Sequence, residues 1–483
     1  MERKRLLFFA RIAGPLAGIL TYAATHHLGA VPAAMAAIVA WMAVWWITEA
    51  VPIPVTALLP LVLFPLFDIT TLPTAAAFYG KEVIFLFIGG FLLALGVERS
   101  GLHNRIALMI VSRIGASPAR LILGTLLATG FLSMWINSTA AVLVMLPIGL
   151  SLVKQAQGHE RLGTALALAV AYGATIGGMA TPVGTPPNLV MLTLWEQLFP
   201  DRPAIGFGQW MLFGVPYAAI YLLLTWWLMT RVLFRMPSAS TVDRRQLRNE
   251  LQALGRAGRD ERLAGLVFAA TAVLWITGDR IDLGDHIVFP GWRLATGLTE
   301  VGDPAVAMLG GLVLFLLPSR TWDRGLLDWE FAEARIPWGV VLLIGSGFAI
   351  AGGIDASGLS SNISQALVGL RTANETLQIG TTATVVTLLS ELGSNTAVAS
   401  LVLPILARTA EAWNMHPLSL MVPATLAASC GFMLPIASPM QAIVFASGQL
   451  SVKQMVKAGI GMDLLGIALL TLLWALLGNV VFV

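Results

Sequence analysis

Two short polar clusters stand inside apolar sequence, and their residue types set the chemistry this chain can do. Asn137-Ser138-Thr139 lies in LSMWINSTAAVLVMLPI, and Ser394-Asn395-Thr396 lies in LLSELGSNTAVASLVLPIL. Each is followed by small and aliphatic residues and then by Leu-Pro-Ile, at Leu146-Pro147-Ile148 and Leu403-Pro404-Ile405. Unpaired hydroxyls and amides are costly in hydrocarbon. Two such clusters at matching places in two halves point to one binding site built from a repeat.

A second pair of features adds backbone chemistry. Pro182, Pro186 and Pro187 sit with Gly177, Gly178 and Gly184, and Pro435 and Pro439 flank Ala437. Proline removes a donor and glycine permits unusual backbone angles, so both stretches should unwind within the apolar layer. Freed carbonyls and hydroxyls suit a hard cation such as sodium, while the N-terminus of a half-helix suits an anion. Nothing basic falls at this presumed site. An anion would be held by hydroxyls, amides, dipoles and a co-bound cation, which favours sodium as the source of positive charge. Glu391 and Asp463 are the main acids inside apolar stretches, with Glu98 and Asp355 near helix ends. Such acids are functional by default, although Glu391, four residues before Asn395, could equally tie down the cluster. The six histidines lie at predicted loops or helix ends without ligand-type spacing. AIASP around Ser438 is no nucleophile elbow, and no phosphate-binding P-loop is present. An enzyme, an ATP-driven pump and a nucleic-acid partner are therefore not expected.

The elements that must position these residues follow from composition. The 483 residues are 57% hydrophobic and 11% charged, with mean hydropathy +0.81. Soluble domains carry roughly 25% charged residues, so the chain reads as a polytopic membrane protein. Its one cysteine, Cys430, excludes an intramolecular disulfide framework. The basic, then apolar start MERKRLLFFARIAG reads as an uncleaved first helix. Apolar spans are expected near 11–29, 33–50, 54–69, 83–110, 163–198, 207–234, 263–278, 304–318, 337–356, 416–449 and 459–482. Two more stretches, 120–153 and 376–411, are too long for one simple span and hold the polar clusters near their middles. They read as re-entrant hairpins, each a pair of half-helices meeting at a polar tip.

Charge placement agrees with that layout. With the N-terminus inside and each hairpin returning to its own side, 23 of the 29 Lys and Arg fall inside, among them seven arginines in 235–262. Treating the hairpins as full spans destroys this bias. The C-terminus then lies outside, and the two halves are inverted relative to each other. Ile88-Gly89 and Ser100-Gly101-Leu102 recur as Ile344-Gly345 and Ser357-Gly358-Leu359. Pro182-Val183-Gly184-Thr185-Pro186-Pro187-Asn188 recurs as Pro435-Ile436-Ala437-Ser438-Pro439-Met440-Gln441.

At these residues the chain resembles the divalent anion/sodium symporter family, the sodium–dicarboxylate and sulfate transporters. Ser394-Asn395-Thr396 and Gly184-Thr185-Pro186-Pro187-Asn188 match that family's motifs in full. The first cluster reads Asn-Ser-Thr where the family has Ser-Asn-Thr, and Met440-Gln441 stands where it usually has Pro-Asn. The resemblance spans nearly the whole chain from about residue 30. It implies an all-α polytopic membrane protein of about eleven transmembrane helices plus two re-entrant hairpins in an inverted two-fold repeat. It further implies a homodimeric elevator that imports C4 dicarboxylates (succinate, malate or fumarate) with sodium across the inner membrane. A sodium-independent exchanger or a sodium-coupled sulfate or citrate transporter would keep the same fold.

On that reading, scaffold helices fill 1–110 and 201–356, the latter with the cytoplasmic loop 235–262. The transport halves are 111–200 and 357–450, and the last helix is 451–483. Carried over by residue, one sodium site would use Ser133, Asn137, Ser138 and Gly184. The other would use Ser390, Gly393, Asn395 and Ala437. Substrate carboxylates would meet Asn137, Ser138, Thr139, Thr185, Pro186, Ser394, Asn395, Thr396, Ser438 and Pro439.

Overall fold

A computed structural model describes residues 2–115, 117–155, 160–236, 249, 251–283, 286–320, 323–367 and 374–482. Residues 237–248, most of the basic loop expected over 235–262, lie outside the described set. The described part of that loop is anchored. Arg105 Nε donates to Glu261 Oε2 at 3.0 Å and Arg105 Nη1 to the Gly255 carbonyl at 2.9 Å. The helix Arg259–Ile276 then begins inside the expected loop.

The chain is helical throughout, apart from a small antiparallel pair of strands, Ile281–Leu283 with His286–Phe289. Among the described residues, five helices have the length and apolar composition to cross a membrane alone. They are Ala30–Thr48, Leu72–Ser100, Phe207–Leu233, Trp338–Ala356 and Val452–Phe482. Small residues set how closely the helices approach. A Cβ on Gly89 would stand 2.5 Å from the Ala307 carbonyl carbon, so Glu82–Ser100 packs on Asp303–Leu316 through its glycine.

Two expected spans are not single helices. The stretch 83–110 breaks at Gly101, where φ is +81° and the chain turns from Glu82–Ser100 into Leu102–Ile114. Gly358, at φ +76°, makes the same break between Trp338–Ala356 and Leu359–Leu367. Glycine adopts this left-handed backbone without a Cβ penalty. The matched Ser-Gly-Leu landmarks are therefore matched helix ends. The stretch 54–69 is likewise divided, into Ile53–Thr56 and Leu59–Leu66, with prolines at 52, 54, 60 and 65.

The element order repeats after each glycine break. Pro118–Ser133 and Ser138–Gln155 form one helical pair about Asn137, and Glu375–Leu392 and Asn395–Ala412 form another about Ser394. Then come two interrupted helices. Glu160–Gly178 stops and resumes at Pro186–Leu198, and Leu418–Ala428 stops and resumes at Pro439–Ala446. A long helix closes each series, Phe207–Trp227 and Val452–Leu473, and each runs into a π-helical turn.

The main core joins these repeated elements, and a second cluster gathers Met35, Ile38, Met42, Trp46, Phe64, Ile350 and Ile354. One contact in the main core is backbone on backbone. A Cβ on Gly177 would lie 2.1 Å from the Gly130 carbonyl oxygen, so the interrupted helix and the first helical pair touch with no side chain between them.

Candidate functional site

The first polar tip begins where Pro118–Ser133 ends and the next helix starts at Ser138. Asn137 Oδ1 accepts the backbone N–H of Thr139 at 2.8 Å, so its amide caps its own helix. The hydroxyl of Ser138 turns inward instead. Ser138 Oγ lies 2.8 Å from Ser133 Oγ and donates to the Gly184 carbonyl at 3.2 Å. Ser133 Oγ in turn lies 2.5 Å from the Ala174 carbonyl oxygen. Four oxygens from the tip and the interrupted helix thus crowd one buried spot. Such a set of hydroxyls and free carbonyls suits a hard monovalent cation.

The second tip repeats the arrangement. Ser390 Oγ donates toward Asn395 Oδ1 at 2.8 Å and sits against the Ala428 carbonyl. Gly431 closes the cluster, since a Cβ there would stand 3.2 Å from the Ser390 carbonyl oxygen and 3.5 Å from Asn395 Oδ1. It would also stand 3.1 Å from the Ala437 Cβ. Ser133 matches Ser390 and Ser138 matches Asn395, each 257 positions on. The exchange of Asn137 and Ser138 therefore has a clear local result. Serine, not asparagine, occupies the inward position in the first half, and the asparagine serves as a cap. Of the residues expected around cations, Ser133, Ser138 and Gly184 come together, and so do Ser390, Asn395 and Ala437. The Asn137 amide is turned to the cap. Gly393 holds the extended turn before Ser394, with Ile47 and Val398 as its neighbours.

The interrupted helices are held open by specific side chains. Asn188 is fully buried, and its Nδ2 reaches the carbonyls of Thr181 at 2.8 Å, Gly178 at 3.2 Å and Met179 at 3.4 Å. Trp210 Nε1 donates to the Met179 carbonyl at 3.1 Å, and Thr181 Oγ1 donates to the Met134 carbonyl. In the second half, Glu391 does this work. Its Oε1 accepts the Met433 N–H at 2.8 Å and its Oε2 accepts the Leu434 N–H at 3.0 Å. Both helices resume with proline, where the missing N–H costs nothing, preceded by Thr185 and Ser438 in extended backbone. Ser438 Oγ accepts the Gln441 N–H at 3.3 Å. Gln441 stands where the first half has Asn188, yet both of its side-chain amide atoms are buried without a partner.

Both tips and both restart points open on one cavity of about 310 Å³. Asn137, Ser138, Thr139, Thr185, Pro186, Ser394, Asn395, Thr396, Ser438 and Pro439 all line it. Met440 joins them, with Thr139 Oγ1 3.8 Å from its sulfur. The opposite wall was not foreseen from sequence. It comes from Ile53, Pro54, Pro337, Gly339, Val340 and Leu343. The breaks at Pro54 and Pro337 were the available signal, because helix ends that carry proline inside apolar sequence tend to line something. No lining residue carries a charge. The N-termini of Pro186–Leu198 and Pro439–Ala446 bring partial positive charge to this uncharged chamber, which is suited to a small anion.

The chain matches the family model for the sodium:sulfate symporter transmembrane region over residues 9–483. It is 38% identical over 476 residues to the sodium-dependent dicarboxylate transporter SdcS of Staphylococcus saprophyticus, covering 95% of this chain and 89% of that one. The SdcS protein of Staphylococcus aureus is 38% identical over 480 residues with the same coverage. Two solved transporters share the fold. MtrF of Neisseria gonorrhoeae, from a class of antimetabolite efflux pumps, superposes with TM-score 0.59 at 13% identity, over 84% of this chain and 83% of its own. YdaH of Alcanivorax borkumensis superposes with TM-score 0.57 at 16% identity, over 84% of this chain and 88% of its own.

Proposed function

Because the chain belongs to the sodium:sulfate symporter family, the divalent anion/sodium symporters, we propose that it imports small dicarboxylates coupled to sodium. Succinate, malate and fumarate are the expected cargo, and the protein is a carrier, not an enzyme. One observation carries the reading. A single uncharged cavity is lined by both polar tips and both helix restarts, and each tip stands beside its own cluster of buried oxygens. Sodium at those clusters supplies the positive charge that the cavity walls lack. Ser133, Ser138 and Gly184 hold one ion, and Ser390, Asn395 and Ala437 hold the other. Asn137 and Gly393 shape the two turns. Hydroxyls, the Asn395 amide and the two helix N-termini then take the substrate carboxylates.

The protein works as an elevator in the inner membrane, with its N-terminus cytoplasmic and its C-terminus outside. The polar tips and interrupted helices form the moving body, the remaining helices form the scaffold, and two copies form the dimer. The inward driving force follows from charge, since one net charge is worth about 2.3 kcal/mol per 100 mV.

The test is uptake of labelled succinate into proteoliposomes. Uptake should require an inward sodium gradient. Equal uptake without sodium, given dicarboxylate trapped inside, would identify an exchanger. Competition by sulfate or citrate stronger than by malate would reassign the cargo.

A further inference from the structure

Three oxygen-bearing side chains from three helices converge on Phe432 and Met433, immediately after Gly431 of the second oxygen cluster. Glu391 is satisfied there by two backbone N–H groups, at 2.8 and 3.0 Å. The closing helix presses on the same segment, because a Cβ on Gly459 would stand 2.5 Å from Met433 Cα. Asp463 lies one turn further along that helix, on the same face. Its carboxyl adjoins that of Glu391. Asp463 is 5% exposed, and neither of its carboxylate oxygens has a hydrogen-bond partner. Tyr172, from the interrupted helix of the first half, sets its ring edge-on to Phe432 with centroids 5.2 Å apart. It is fully buried, its hydroxyl is unpartnered, and both carboxyls are within electrostatic reach. The neighbouring polar groups are already engaged. Tyr221 donates to the Met462 carbonyl at 2.7 Å, and the Cys430 thiol donates to the Leu426 carbonyl at 3.3 Å.

The two backbone donors answer the charge of Glu391, and nothing answers that of Asp463. An unpaired carboxylate in an apolar interior costs several kcal/mol even after relaxation. A single proton would satisfy one oxygen and leave the others, including that of Tyr172, without a partner. A hard cation gathers several oxygens at once.

We propose that Asp463, Glu391 and the Tyr172 hydroxyl form a further sodium site, separate from the two oxygen clusters at the polar tips. It rests on the sodium-coupled reading above. Its position links it to the second cluster, since Glu391 follows Ser390 and Phe432 follows Gly431. An ion here fixes the segment that closes that cluster.

The experiment is equilibrium binding of radiolabelled sodium to the purified full-length protein, with gel filtration and thermal melting as fold controls. Asp463→Asn should bind one sodium ion fewer at saturation. Tyr172→Phe should keep the count but weaken the affinity by about tenfold, as expected for one lost ligand to a charged group. If the unaltered protein binds no sodium, both readings fall. If it binds sodium and Asp463→Asn binds as much with equal affinity, only this one falls. Unchanged sodium binding in Asp463→Asn together with lost pH dependence of uptake would make the pair a proton site and overturn the proposal. Should Asp463→Asn not fold, unchanged sodium affinity in Tyr172→Phe overturns it.

Discussion

Replacing Asn395 by alanine should nearly abolish sodium-driven uptake while leaving the protein folded. Asn395 is 8% exposed, holds its Oδ1 2.8 Å from Ser390 Oγ, and lines the cavity. It therefore touches both the oxygen cluster and the space for the anion. A hydrogen bond or dipole directed at a charged group contributes about 1.5–3 kcal/mol, which is roughly ten- to 150-fold in an equilibrium constant. Losing it on both sides should raise the sodium concentration for half-maximal uptake by about 100-fold and weaken substrate affinity by tenfold or more. Asn395→Ser is the informative control. The first half already builds its cluster from Ser133 and Ser138 at the matched positions, with oxygens 2.8 Å apart. A serine at 395 should therefore keep sodium dependence within about tenfold of the unaltered protein. The assay is the initial rate of labelled succinate uptake in proteoliposomes against external sodium, with gel filtration to check assembly. A sodium requirement within threefold of normal in Asn395→Ala would refute the dual role, and a serine variant as poor as the alanine variant would refute the equivalence of the two clusters.

Gly184→Ala should lose transport with little cavity change elsewhere, since its Cβ would stand 2.4 Å from the Gly178 carbonyl oxygen and 2.9 Å from that of Ser133; sodium binding measured on the purified variant checks this. Asn188→Leu strands carbonyls of the first interrupted helix, at about 1–3 kcal/mol for each left unpaired, so its melting temperature should fall by several degrees. Gln441→Met should be neutral or stabilising, because it removes a buried amide whose side-chain atoms have no partner; a clear drop in melting temperature would show that the amide is in fact engaged.

The polar tips were legible in the sequence because polar groups inside apolar runs are conspicuous, and because the same spacing returns 257 positions on. The restart points at Pro186 and Pro439 were legible for a related reason, since proline and glycine report backbone directly. Other features were not. The end of Glu82–Ser100 was hidden because Leu102–Ile114 keeps an apolar face, with Ala107, Leu108 and Val111 buried, so hydropathy runs on across Gly101. The far wall of the cavity was hidden because Ile53, Val340 and Leu343 look the same whether they face lipid, core or ligand. The exchange of Asn137 and Ser138 was visible, but its meaning was not. Which side chain points inward depends on the backbone of the turn, and that is set by contacts with Ala174 and Gly184 distant in sequence. Glu391 was left between two roles by sequence, and its two bonds to Met433 and Leu434 show it tying the second interrupted helix in place.

The meeting of Gly130 and Gly177 bears on how this protein tolerates genetic change. Neither residue lines the cavity or belongs to an oxygen cluster, yet the added atom of an alanine at 177 would fall 2.1 Å from a carbonyl oxygen of the opposing backbone. Backbone cannot swing aside as a flexible side chain can, so the helix bearing Ala174 would have to separate from the arm bearing Ser133. A random screen for silent transporters should accordingly recover lesions at this glycine pair as readily as at the polar residues themselves, and sequences that drift freely around it should still keep both positions without a side chain.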